Sequence, residues 1–202
     1  TSAKSVTAKS VTKVPTVDLI RLAAIDLFFE HGYEATSLRE VASRVGIQVG
    51  SLYNHLSSKE GLLYELMTKI IEDLLTELDA RLADVEDVGD RLRVAIEVHV
   101  FFHTARAREV FIGNSELRSL SPAHRRTVVK LRDAYESRFV EIIERGQKEG
   151  RFATTDPKLA AWAILAIGTS TSGWFRPGGR LQLGDIADTY TELVLHGLEL
   201  RR

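Results

Sequence analysis

The sequence predicts an all-α protein of about nine helices, a small N-terminal group of three followed by a larger helical domain. Three observations carry this. Apolar residues recur at i, i+3, i+4 and i+7 in segment after segment, the spacing of one buried helix face. No segment alternates convincingly at period two. Glycine, proline and Ser/Thr/Asp fall at the places where helices start and stop.

Residues 1–16 come first and carry no apolar periodicity. They are rich in Ser, Thr, Lys and Val, and AKSVT occurs twice in tandem, at Ala3–Thr7 and Ala8–Thr12. A disordered tail is expected, with a basic arm touching DNA as the functional alternative. From Val17 the pattern turns helical, with Ile20, Ala24, Leu27 and Phe28 on one face and His31-Gly32 closing the segment. Leu38, Val41, Ala42 and Val45 form a second face. Ser37 stands before it as N-cap and Glu40 three residues later, the pattern of a capping box. Gly46 supplies a tight turn, since glycine accepts positive φ without a Cβ clash. The stretch Gln48–His55 then reads as a third helix, with Leu52 and Leu56 directed to the core.

Ser57-Ser58-Lys59-Glu60 opens a long fourth helix carrying Leu63, Leu66, Met67, Ile70 and Leu74 on one face towards Val85. A helix over roughly Asp90–Glu109 places Leu92, Ile96, His99, Val100 and His103 on one side, and a shorter one follows near Phe111–Leu120. Ser121-Pro122 is a clean start, with Ser capping and Pro in the first helical position. That helix carries Val128, Leu131, Tyr135, Phe139 and Ile142. Asp156-Pro157 opens an apolar helix through Trp162, Leu165 and Ile167, which Arg176-Pro177-Gly178-Gly179 breaks. The last helix, from about Gly184, aligns Ile186, Tyr190, Leu193 and Val194.

Composition narrows the function classes. The 202 residues suit one or two domains, and with no cysteine there is no disulfide, thiolate zinc site or cysteine nucleophile. The longest apolar run, Leu159–Ile167, is far short of the roughly 20 residues that a bilayer needs. No signal-peptide pattern is visible, so a soluble, cytoplasmic protein without membrane association is expected. Net charge is −1, which argues against indiscriminate coating of nucleic acid. Through Glu60 there are seven basic and six acidic residues, a weak positive bias. No ordered Ser/His/Asp signature, Gly-rich phosphate loop or HExxH occurs, so an enzyme is not expected, and neither is a cofactor.

The ordered series HGYEATSLREVASRVGIQVGSLYNHLSSKEGLL resembles the TetR family of bacterial transcriptional regulators. The resemblance implies a helix-turn-helix DNA-binding domain over residues 17–60 and a ligand-binding and dimerisation domain over 61–202. It further implies a homodimer on a double-stranded, roughly palindromic operator, with the Gln48–His55 helix in the major groove. Carried over by position, Ser51, Tyr53, Asn54 and His55 face DNA, Ser37 and Lys59 hold phosphates, and Gly50 permits close backbone approach. Thr36, Gln48 and Val49 complete the expected DNA-binding set. Val49 departs from the basic or polar residue common there. It can touch a thymine methyl but cannot hydrogen-bond, while Gln48 can pair with adenine.

In the second domain, VFIGNSELRSL, the R-D-x-Y of Arg132–Tyr135 and WFRPGG at Trp174–Gly179 resemble TetR-type regulators of lipid catabolism. That likeness implies a small hydrophobic effector such as an acyl-CoA or other CoA thioester, released repression being the expected response. Another hydrophobic or drug-like ligand, or a ligand-blind DNA-binding dimer, is the alternative. Phe102, His103, Phe111, Asn114, Leu117, Tyr135, Phe139, Trp162 and Trp174 are the candidate pocket residues, an apolar and aromatic wall with few polar groups. His99 and His103 lie four apart on one face, but no third ligand adjoins them. They read as pocket or core rather than metal site. Trp162, Leu165 and Ile167 with Tyr190, Leu193 and Val194 give more apolar face than one small domain hides, which predicts a dimer through the last two helices.

Overall fold

A computed structural model of the chain describes residues 14–154 and 156–198. Among them lie nine α-helices, one 3-10 turn and no strand. The tail expected over residues 1–16 falls largely on 1–13, outside the described residues. The chain divides into two compact units, with the boundary between Ser57 and Ser58.

The first unit holds α1 (Thr16–His31), α2 (Leu38–Val45) and α3 (Val49–Leu52). Ile20, Ala24, Leu27 and Phe28 of α1 are buried with Val41 and Ala42 of α2 and Leu52 and Leu56 around α3. Tyr33 packs edge-on against Phe28, with ring centroids 5.2 Å apart. The Ser37–Glu40 capping box forms in both directions. Gly46 takes φ 76°. Beyond it the Ile47 N–H reaches back to the Ala42 carbonyl at 3.0 Å, closing α2 with a glycine-dependent Schellman turn.

The expected helix over Gln48–His55 is shorter. Regular α-structure ends at Leu52, and the chain continues as a tight turn in which Asn54 N–H donates to Ser51 O at 3.2 Å and His55 N–H to Leu52 O at 2.9 Å. Tyr, Asn and His are weak helix formers. Burying both Leu52 and Leu56 fixes the two ends of this short segment.

The second unit comprises α4 (Lys59–Leu82), α5 (Val88–Ala105), α6 (Ala107–Ser115), a 3-10 turn (Leu117–Ser119), α7 (Pro122–Lys148), α8 (Pro157–Trp174) and α9 (Leu183–Leu198). Side chains cap the helix starts: Ser58 for α4, Asp87 for α5, Ser121 for α7 and Asp156 for α8. Helix α5 is the hub, packed against α4, α7, α8 and α9. Its Leu92, Ile96, Val98 and Val100 are almost completely buried with Phe139 and Ile143 of α7. Two polar clamps tie α4 to α7. Arg138 holds Asp79 through Nε at 2.8 Å and Nη2 at 3.0 Å. Glu60 accepts from the Ser121 N–H at 2.9 Å and pairs with His124 Nδ1 at 2.7 Å.

One long helix was expected over Asp90–Glu109, yet the chain breaks at Arg106 (φ −114°, ψ 37°). Its guanidinium is bound to Asp73 at 3.0 Å and lies over the Phe102 ring at 4.9 Å. The α5 apolar period runs on into α6, so a one-residue break leaves no trace in the pattern.

Candidate DNA-binding surface and effector cavity

The candidate reading surface grows from the α2–Gly46–α3 turn. With Leu52 and Leu56 anchored inward, the intervening and preceding side chains must point out. Gln48, Gly50, Ser51, Tyr53, Asn54 and His55 are all exposed and Val49 is half-buried. Tyr53 is 55 % exposed, which rules out a core aromatic. No protein atom lies near a Cβ built on Gly50, so nothing within the fold demands glycine there.

Thr36 departs from the expected set. It is 2 % exposed, and its hydroxyl donates to the carbonyls of Gly32 at 2.9 Å and Leu27 at 3.2 Å. It is an internal staple. Ser37 is exposed, but its N–H and hydroxyl both face Glu40 Oε2, at 2.6 and 2.8 Å. A phosphate there must compete with a carboxylate already in place. Lys59 is the first residue of α4 and belongs to the second unit.

Within the second unit, α4, α5, α6, α7 and α8 line a half-open cavity of about 220 Å³. Met67, Ile70, Ile71 and Leu74 of α4 form its apolar wall. Phe102, His103, Asn114 and Tyr135 line it as expected from the sequence, and His99, Glu109, Val110, Gly113, Arg132, Glu136, Leu165 and Thr169 join them.

Five candidates lie elsewhere. Phe139 is fully buried behind Tyr135, edge-on at 5.5 Å. Phe111 is 54 % exposed because α6 turns Val110, Gly113 and Asn114 to the cavity, leaving its neighbour on another face. Leu117 sits half-buried in the 3-10 turn. Trp162 is half-exposed one turn before Leu165, under the Lys158 ammonium, and Trp174 ends α8 in solvent.

The polar end of the cavity is set by hydrogen-bond logic. His99 Nε2 lies 3.0 Å from the Leu165 carbonyl and 3.1 Å from Thr169 Oγ1. A carbonyl only accepts, so Nε2 carries the proton and Nδ1 accepts from the Tyr135 hydroxyl at 2.9 Å. His103 Nδ1 likewise donates to the His99 carbonyl at 2.8 Å, leaving its Nε2 bare. Burial, with the neighbouring His103, drives the His99 pKa well below the usual range. Burial lowers His103 to about 4 and pushes the Tyr135 phenol well up. All three are neutral near pH 7. The neutral imidazoles were legible only as a pair of histidines four apart. The partners of His99 on α7 and α8 are 36 to 70 residues away in sequence.

A helix-turn-helix head with an exposed turn, joined in sequence to an all-helical unit that carries a cavity, is the architecture of a transcriptional regulator. Residues 20–66 match the bacterial regulatory proteins of the tetR family, and residues 85–198 match the tetracyclin repressor-like C-terminal domain. The chain belongs to the TetR family, a family of transcriptional regulators rather than enzymes.

It is 30 % identical over 183 residues to an HTH-type transcriptional repressor, KstR2 of Rhodococcus jostii, covering 90 % of this chain and 89 % of the relative. A tetR-family regulatory protein from Rhodococcus RHA1 superposes with a TM-score of 0.86 at 32 % identity, covering 94 % of this chain and all of that one. AibR, solved in complex with isovaleryl coenzyme A and operator DNA, gives 0.81 at 26 % identity, covering 89 % and 97 %.

Proposed function

We propose that the protein is a cytoplasmic, dimeric repressor that binds a roughly palindromic operator and is released by a small hydrophobic effector, an acyl-CoA or other CoA thioester. The carrying observation is the cavity wall. Met67, Ile70, Ile71 and Leu74 belong to α4, the helix that follows the DNA-binding unit directly in the chain. A ligand bound there touches the one element whose displacement is passed covalently to the head. Release requires that the ligand bind the operator-incompetent arrangement more tightly than the other. The complex of AibR with isovaleryl coenzyme A and operator DNA supports a CoA thioester as the class to try first. Val49, Gln48, Ser51, Tyr53, Asn54 and His55 are the proposed base-facing residues, with Ser37 and Lys59 at phosphates.

The dimer reading is supported by α8 and α9. Leu159 (59 % exposed), Trp162 and Ile167 share the side of α8 opposite the buried Ala161, Ile164 and Gly168, and Leu193 of α9 is 64 % exposed. In a single chain that much apolar surface is left in water. The experiment is operator binding by fluorescence anisotropy, with DNA from upstream of the protein's own gene and a panel of CoA thioesters. At least one should lower the apparent affinity about tenfold or more. Unchanged binding across the panel rejects this effector class, and a monomer by light scattering at micromolar concentration rejects the dimer. No helix among the described residues is long and apolar enough to cross a membrane.

A further inference from the structure

The cavity has an unbalanced charge. His99 and His103 are neutral near pH 7, so among the described residues lining it Arg132 carries the only full positive charge. Arg132 is half-buried, and its Nη2 donates to the Gly113 carbonyl at 2.7 Å. A guanidinium has five N–H donors in a rigid fork, and the others find no partner among the described residues. Two carboxylates also line the cavity. Glu136 is engaged with Lys158 at 3.5 Å, and Glu109 makes no ion pair with Arg132. Burial alone, with no carboxylate offsetting it, depresses the Arg132 pKa. A partly desolvated cation held by one neutral carbonyl has donors to spare, and an anionic group completes it better than water does.

We propose that Arg132 is the anion-receiving group of this cavity. The effector's polar end is an anionic oxygen group, a carboxylate or a phosphate, set against its fork while the aliphatic body lies along Ile70 and Leu74 of α4. This rests on the effector reading above and adds the chemistry of the ligand's head. The fork geometry of arginine matches such a group in two parallel hydrogen bonds, which a point-charge lysine does not reproduce. The space is adequate, since a cavity of about 150 Å³ already admits benzene and this one offers about 220 Å³.

The test is calorimetric titration of the full chain with hexanoate, hexanol and hexanoyl-CoA. Hexanoate binds the wild type roughly ten- to a hundredfold more tightly than hexanol, the worth of a hydrogen bond to a charged group. Arg132→Gln erases that preference, and Arg132→Lys keeps part of it. If the Gln variant loses its melting transition along with the Gly113 contact, the Lys variant reads the loss of the fork in a folded protein. A loss of affinity in Arg132→Gln for hexanoate alone assigns a carboxylate, and a loss for hexanoyl-CoA as well assigns the phosphate to the same fork. Equal binding of hexanol and hexanoate, absence of binding by both hexanoate and hexanoyl-CoA, or variants that bind all three as the wild type does, overturns the assignment. Operator release is read separately. A compound that binds through Arg132 without releasing DNA sinks the effector reading and leaves this one standing.

Discussion

Gly168 of α8 faces His99 of α5 so closely that a Cβ built on it would stand 3.0 Å from Nε2 and closer still to Cδ2. The imidazole cannot step aside, because Tyr135, Leu165 and Thr169 all hold it. Two effects oppose each other in Gly168→Ala. Helix propensity favours alanine by about 1 kcal/mol, while forcing extra volume into a packed site costs typically 1–3 kcal/mol. With the neighbour pinned, overpacking wins, and urea unfolding should show net destabilisation of about 1 kcal/mol or more. Gly173, five residues on in the same helix, has nothing near its Cβ position. Gly173→Ala should be neutral or slightly stabilising, and equal effects at the two sites would contradict the packing account.

The Tyr135 hydroxyl is the donor that satisfies His99 Nδ1. Tyr135→Phe keeps the ring against Phe139 but leaves a buried acceptor without a proton. Such an unpaired group costs about 1–3 kcal/mol. The variant's denaturation midpoint should fall with its m-value unchanged, since the surface exposed on unfolding stays the same. A wild-type midpoint would show that water replaces the phenol.

How far the sequence led differs between the two units. In the head, every signal was local. Ser37 and Glu40 are three apart, Gly46 is a single turn residue, and Leu52 and Leu56 are four apart, so the outward face from Gln48 to His55 and the elements of the head are legible, except that the third helix ends at Leu52. Thr36 was misplaced because its partners, the carbonyls of Leu27 and Gly32, leave no mark on side-chain identity. In the larger unit the helices were legible, but the cavity required knowing which faces meet. His103 and Tyr135 were found by residue type, whereas Trp162 and Trp174 have the right chemistry at the wrong place along α8. Arg132 was visible only inside the R-D-x-Y string, since nothing in that string says that its charge is unanswered.

Acid sensitivity should come in two windows. The folded-state pKa of His103 is lowered from 6.5 to about 4, so between those values the unfolded chain binds a proton that the folded chain does not. Stability is therefore fully present above pH 6.5 and falls as pH drops towards 4, by on the order of 3 kcal/mol from this residue. His99 adds to the loss in the same direction. Glu60, Asp73 and Asp79 have lowered pKa values, so their contributions are present above the ordinary carboxylate range and disappear below it. Melting temperature measured from pH 7 to pH 5 should decline, and His103→Gln should flatten that decline. An equal slope in the variant would place the sensitivity elsewhere.

In the head Thr36 is buried and Tyr53 exposed, and one pair of substitutions tests whether the first serves the fold and the second the operator. Thr36→Val keeps the shape but removes the donor to two carbonyls, one of them buried. It should lower stability by about 1 kcal/mol and weaken operator binding only as far as the head unfolds. Tyr53→Ala removes a half-exposed ring with no packing role comparable to that of Leu52 or Leu56. Its melting temperature should stay within the scatter of surface substitutions, about 0.5 kcal/mol. Its operator affinity should drop about tenfold, the lower end of what a lost specific contact removes. Measuring both variants by thermal melting and fluorescence anisotropy decides the matter. If Tyr53→Ala binds operator as the wild type does, the reading surface is not centred on this turn, and the base contacts must be sought from the exposed side of α2 instead.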